Sequence, residues 1–249
     1  MIKKVKLLIG VGLFVASSPV QASPSAEQLL KDSDRSRGAL LEVGGMTWQA
    51  SVITLENDDK IELGYLIKIR DDDAVAEVSS PPRQKGERIL FNDRILWFYK
   101  PGLRKPISIS PRQRLSGQAA NGDIASTRYA RDYEGVVKGE ELVEGSPTFV
   151  LELKAKGKNV TYDQIRYWVS KQDHLGVKAE FLTLSGQIFK RAWFKYANQL
   201  TVKGVQYPFV SEMKIQDALN DKNLTTIRYF SPKIENHPAG LFNVNNLVK

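Results

Sequence analysis

The sequence predicts a mainly β protein with a few helices: a half-open antiparallel β-barrel of roughly eleven strands, with a helical lid over an apolar cavity. Three observations lead there. Apolar and polar residues alternate with period two in one segment after another, the pattern of strands with one buried and one wet face. Clusters of Gly, Pro, Asn and Asp separate those segments. Helical signals are confined to two short stretches, enough to cover a sheet but not to build a layer of their own.

Taken in order, residues 1–22 read as a secretory signal: basic Lys3, Lys4 and Lys6, an apolar run from Leu7 to Ala16, and the small-residue cleavage site Val20-Gln21-Ala22. The apolar run is half the ~20 residues that span a bilayer. Cleavage after Ala22 and export are therefore expected, leaving residues 23–249 as one domain with no linker, repeat or low-complexity tract. Ser25 to Arg37 is the first helix, with Ser25 and Gln28 at capping-box spacing and Gly38 to end it. Ile61, Leu63, Tyr65, Ile67 and Ile69 then alternate with Glu62, Gly64, Lys68 and Arg70.

Leu96 to Tyr99 is a short aromatic strand broken by Lys100-Pro101-Gly102, and Ile107 and Ile109 resume the alternation. The small and polar stretch from Gly117 to Gly122 gives a pivoting entry to a helix with Asp123 as N-cap and Ile124, Ala125, Tyr129 and Ala130 along it. Alternation returns at Phe149/Leu151/Leu153, Ile165/Tyr167/Val169, Val177/Ala179/Phe181 and Met213/Ile215. Twist accumulates across so long an antiparallel sheet, so it must curl, split or close. Curling around residues 25–37 and 123–133 is the economical solution, although the pattern alone also allows a closed barrel.

Catalytic and metal-binding signatures are absent from the sequence. There is no cysteine, so neither disulfides nor thiolate metal sites nor lipoprotein acylation is possible. HExxH, GxSxG, the P-loop and GxGxxG are all missing, and His174 and His237 have no ligand-spaced partner. Asp71-Asp72-Asp73 lacks the spacing of a calcium loop and reads as a solvated hairpin turn. No cofactor and no metal are expected. Loss of the three signal lysines lowers the net charge from +8 to +5, and the cations are interspersed with acids, which argues against a nucleic-acid partner.

What remains is a concave apolar surface. Leu63, Tyr65, Ile67, Ile69, Trp97, Tyr99, Phe181 and Trp193 are the candidate cavity lining, any one of which is also explicable as ordinary core. At about 0.8 kcal/mol per CH₂, a carrier of one chain of about 16 carbons must offer on the order of 12 kcal/mol of apolar contact. Ile124 and Ala125 are the apolar face of the lid. Arg104, Arg112 and Arg114 flank its entrance, either as solubilising charges or as a rim that contacts a headgroup or fastens the lid.

Several short segments carry a resemblance to a known family. Leu96-Trp97-Phe98-Tyr99 before a proline, the basic Arg112-Gln113-Arg114-Leu115-Ser116-Gly117, Asp34-Arg35-Ser36-Arg37-Gly38 after the first helix, and Pro238-Ala239-Gly240-Leu241-Phe242 near the end resemble the LolA-like outer membrane lipoprotein-sorting proteins. That resemblance implies an incomplete barrel with a helical lid, a periplasmic location and a non-enzymatic role. The implied cargo is the acyl chain of a lipoprotein or lipid moving towards the outer membrane, with an inner-membrane transporter and transient membrane contact as partners. A periplasmic partner or scaffold subunit of a lipid exporter is the alternative, and a lipid- or glycan-acting hydrolase a third reading.

Overall fold

The computed structural model of the chain describes residues 23–39, 43–92, 94–125 and 128–248, with no side chain described for Ala125. The expected signal segment lies outside the described residues. Helix α1 (Ala26–Arg35) begins where the sequence predicts, the Ser25 Oγ accepting the Gln28 N–H at 3.2 Å. Its Leu29, Leu30, Ser33 and Asp34 are buried.

Next come β1 (Met46–Glu56), β2 (Asp59–Arg70), β3 (Asp73–Ser80), β4 (Arg88–Asn92), β5 (Ile95–Tyr99) and β6 (Ile107–Ile109). A small hairpin of β7 (Arg114–Ser116) and β8 (Ala119–Ala120) leads into two short helices, α2 (Asn121–Ala125) and α3 (Tyr129–Asp132). The second half runs through β9 (Tyr133–Val143), β10 (Ser146–Ala155), β11 (Gln164–Ser170), β12 (Gly176–Leu182) and β13 (Ile188–Lys195). A second hairpin, β14 (Asn198–Val202) and β15 (Val205–Phe209), precedes β16 (Glu212–Asp217) and β17 (Leu224–Ile234).

Thirteen of these strands form one antiparallel sheet in the order β6-β5-β4-β3-β2-β1-β17-β16-β13-β12-β11-β10-β9. Pairing of β1 with β17 joins the two halves at its centre. The sheet does not close, since β6 and β9 are its two edges.

The strands that alternation under-counts have physical reasons for being faint. Inward positions of β1 and β17 include Ala50, Thr54 and Thr225, whose weak hydrophobicity blurs the pattern. Edge strand β9 is largely exposed and carries Glu134, Lys138, Glu140 and Glu141, charges that discourage edge-to-edge pairing.

Register assigns each side chain to a face. Across β1, β2 and β3, Trp48 lies opposite Ile67 and Ile67 opposite Ala76, while Ala50 lies opposite Tyr65 and Tyr65 opposite Val78. These residues are buried in one continuous core with α1, α2, α3 and the β14–β15 hairpin, on what we call the inner face. Each large side chain fully buried there contributes about 1.5–3 kcal/mol. The opposite, outer face holds a small second core of Val75, Leu90, Phe242 and Leu247 beneath the 3-10 turns Ala239–Phe242 and Val244–Asn246.

Candidate functional site

On β2, every second residue from Leu63 to Ile69 points to the inner face. The track is divided. Leu63 and Tyr65 line an open cleft of about 470 Å³ with Val78, Ile89, Phe98 and Ile109. Ile67 and Ile69 line a separate cavity of about 50 Å³ with Trp48, Phe209 and Tyr229.

Helix α2 stands between the two spaces, its Asn121 on the cleft and its Asp123 and Ile124 on the cavity. Ile124, 5% exposed, thus occupies the inner face as the apolar side of a lid would. The Ala125 side chain lies outside the described residues.

Polar contacts fasten this cover. Asp123 sits two residues inside α2 rather than at its N-cap, and its Oδ2 reaches back to accept the Ala120 N–H at 2.8 Å, the returning half of a capping box. The same oxygen accepts the Tyr162 hydroxyl at 2.8 Å. Burial pushes the Asp123 carboxyl above the ordinary aspartate range, against the opposing pull of Lys190 and these two donors. Lys190 donates to the Gln118 carbonyl at 2.6 Å, and burial lowers its own ammonium pKa.

Arg128, just before α3, donates to Asp72 and to the Asp71 carbonyl, so the acidic turn that reads as merely solvated holds the cover at the β2–β3 hairpin. Asp34 of α1 accepts the Ala130 N–H of α3 at 2.8 Å on one oxygen and the Arg37 Nη2 at 2.8 Å on the other.

The two glycines expected as pivots have a packing reason to be glycine. A Cβ on Gly122 would lie 1.9 Å from the Thr161 Oγ1, and one on Gly117, at φ +52°, would lie 2.3 Å from Thr54. The helix expected over 123–133 is two pieces, α2 and α3, with residues 126–127 between them outside the described residues.

Five of the eight expected lining residues share the inner face: Leu63, Tyr65, Ile67, Ile69 and Phe181. Phe181 is fully buried and stacks on Tyr162 at 3.8 Å, away from both the cleft and the cavity. Trp97 and Tyr99 are corrected to the outer face. Trp97 pairs with Leu90, and both aromatics pack beneath the C-terminal turns. The reason is phase: the inner-face positions of β5 are Leu96 and Phe98, opposite Phe91 and Ile89. Trp193 is likewise outer, opposite Lys178 and Lys214, whereas its neighbours Ala192 and Phe194 are buried in the inner core.

Of the rim cations, Arg112 donates to the Val160 carbonyl at 3.1 Å and pairs with Asp163 at 2.7 Å. Arg114 donates to the Gly117 carbonyl at 2.6 Å and pairs with Glu56. Both are ties within the protein. Arg104 is exposed in the bend before β6.

Sequence reasoning passed over Arg128, Tyr162 and Lys190, none of which stands in a recognisable motif, and gave Asp34 no role beyond its place in Asp34-Arg35-Ser36-Arg37-Gly38. His174 bonds Asp32 at 2.8 Å, and His237 bonds Thr47 at 2.9 Å. Among the described residues no group of three or more His, Asp or Glu is placed to hold a metal ion, and no helix is long and apolar enough to cross a membrane.

Known structures share this architecture. A LolA superfamily protein from Nitrosomonas europaea is 26% identical with a TM-score of 0.78, over 90% of this chain and 99% of its own. A protein described as an outer membrane lipoprotein-sorting protein domain, from Vibrio parahaemolyticus, is 18% identical with a TM-score of 0.75, over 90% of this chain and 98% of its own. A DUF1329 family protein from Desulfovibrio piger is 17% identical with a TM-score of 0.73, over 89% and 97% of the two chains. No curated protein matches the sequence. The model of a family described as uncharacterized-protein-like matches residues 70–249. That match makes the chain a member of this family, and its fold is LolA-like.

Proposed function

We propose that the protein is a periplasmic carrier that shelters the acyl chain of a lipoprotein or lipid on the inner face of its sheet, beneath α2, on the way to the outer membrane. One observation carries this reading: α2 lies across a single apolar track, separating a cleft from a small cavity. The cavity alone, at about 50 Å³, is far below the ~300–1,000 Å³ typical of ligand pockets. With α2 displaced, the inward positions from Leu63 to Ile69 form one groove of about 20 Å at strand rise. Half the ~30 Å hydrocarbon core of a bilayer, the depth one chain occupies, is about 15 Å.

The fit is apolar and non-directional, which suits a cargo passed between proteins and gives no place to bond-breaking chemistry. In the closed form Ile124 stands in for cargo, so closure expels the chain and binding must displace the helix. The sheet curled around α1, α2 and α3 is the half-open barrel of this reading, and the fold it shares with the Nitrosomonas LolA superfamily protein supports it.

The alternative of an exporter subunit docking by strand addition has less support, because β9, the long edge, is protected by its charges. The scheme requires export. The exported protein should begin at Ser23, and an intact mass that retains residues 1–22 in the membrane fraction would refute that part of the scheme.

The lid is tested by a disulfide. With Ile67 and Ile124 both replaced by cysteine, the oxidised protein should exclude a fluorescent fatty acid and the reduced one should take it up. Equal uptake in both states, with the cross-link verified by mass, rules out α2 as the gate.

A further inference from the structure

Arg37 is the most heavily buried cation at the site. Its side chain is 6% exposed and lines the small cavity. Nη2 is spent on Asp34, yet Nε and Nη1 find no acceptor among the described residues. Two neighbours share the condition: the Nε1 of Trp48, which also lines the cavity, and the hydroxyl of Tyr129, whose ring lies 4.2 Å from the Arg37 guanidinium carbon.

Orphaned buried polar groups are uncommon in folded proteins, and two that line one small cavity, with a third whose ring packs against the Arg37 guanidinium, form a built arrangement. Arginine nitrogens and the indole N–H can only donate, so the missing partner is an acceptor.

Charge narrows its chemistry. The carboxylate of Asp34 already matches the Arg37 charge at 2.8 Å, and Arg128 and Arg131 are matched by Asp72 and Asp132. A further anion beside the buried, already matched Arg37–Asp34 pair would arrive without an unmatched cation, which a low-dielectric site penalises heavily. A neutral carbonyl oxygen carries no such penalty and accepts up to two of the free hydrogens.

We infer that Arg37, with Trp48 and Tyr129, forms a donor site for the neutral carbonyl of an acyl ester. It seats the polar end of the cargo inside the cavity while the chain runs along β2 towards the cleft. The inference rests on the carrier reading, and adds that recognition is of the ester and not of hydrocarbon alone. Arg37 occupies the second arginine position of Asp34-Arg35-Ser36-Arg37-Gly38, and Gly38, at φ +90°, turns the chain there so that the side chain enters the core.

The test displaces the neutral dye N-phenyl-1-naphthylamine from the mature protein with three ligands of equal chain length: methyl laurate, laurate and dodecane. Methyl laurate is expected to bind about tenfold tighter than dodecane, from up to two hydrogen bonds to the ester carbonyl, and tighter than laurate. Arg37→Lys keeps a cation for Asp34 and so preserves the fold, but lacks the free guanidinium donors. It should reduce the preference for ester over dodecane to within about threefold. Tyr129→Phe, an isosteric loss of one hydroxyl, should lower the same preference by a factor of about three to ten.

Equal binding of methyl laurate and dodecane by the native protein overturns the donor site and leaves the carrier standing. Preference for laurate over the ester overturns the neutral-carbonyl assignment in favour of an anion. Failure of the dye and all three ligands to bind overturns the carrier reading itself, and the donor site with it.

Discussion

Asp34 shows how much of this site depends on single groups. Its two oxygens join the turn after α1 to the start of α3, and the whole side chain is buried. Replacing it with alanine leaves the Arg37 charge buried without a partner, a change that costs about 3–5 kcal/mol in comparable buried pairs. Asp34→Ala should therefore lower the urea midpoint with an unchanged slope. Asp34→Asn, which still accepts one hydrogen bond, should lose less. Equal midpoints for the three proteins would mean that Arg37 is solvated. At this scale little was legible in advance. Asp34-Arg35-Ser36-Arg37-Gly38 stands out in the sequence, but nothing there distinguishes exposed Arg35 from buried Arg37. The difference arises only when Gly38 turns the chain and β15 delivers Phe209 beside it.

Among elements, strand faces were legible wherever the alternation is long and hidden where it is short. The twelve residues of β2 give an unambiguous phase, and all four of its assigned lining residues face inwards. In β5, five consecutive apolar residues satisfy either phase, and the bulkier pair, Trp97 and Tyr99, belongs to the outer face. What decides the phase is the C-terminal turn carrying Phe242 and Leu247, distant in sequence, which covers Leu90 and Trp97. Trp97→Ala should accordingly destabilise the fold by about 2 kcal/mol, below the ~3–5 kcal/mol of a fully buried aromatic because Trp97 is only half-buried. Its uptake of fatty acid should equal that of the parent protein. Leu63→Asp, on the inner face, should abolish uptake, and a loss of uptake in the Trp97 variant alone would contradict the assignment of faces.

For the whole molecule, the cover must be stable enough to exclude water and weak enough to open. Asp123 sets part of that balance, since it is buried in α2 and its carboxyl titrates above an ordinary aspartate. The raised value means that the closed form holds a proton which an opened or unfolded form, with Asp123 in water, releases near about pH 3.9. Closure is then favoured most at or below that pH, and the advantage declines as pH rises through the raised folded value. If α2 opens as proposed, acid should tighten it and neutral pH loosen it. The Asp32 carboxylate at α1 runs the other way. Burial raises its pKa, but the hydrogen bonds from His174 and Gln28 outweigh burial and lower it, so its contribution is present above the ordinary aspartate value and lost as pH falls. The two act on separate elements: Asp32 anchors α1 to the β11–β12 turn, whereas Asp123 governs α2 over the cavity. Amide exchange can therefore tell them apart. Protection of α2, corrected for the intrinsic pH dependence of exchange, should fall as pH rises above the ordinary aspartate value, while α1 keeps or gains protection. In Asp123→Asn, whose neutral side chain retains an acceptor for Ala120 and Tyr162, the α2 trend should flatten. A trend of equal steepness in that variant would show that the pH response of the lid arises from another group and that Asp123 is held closed by its hydrogen bonds alone.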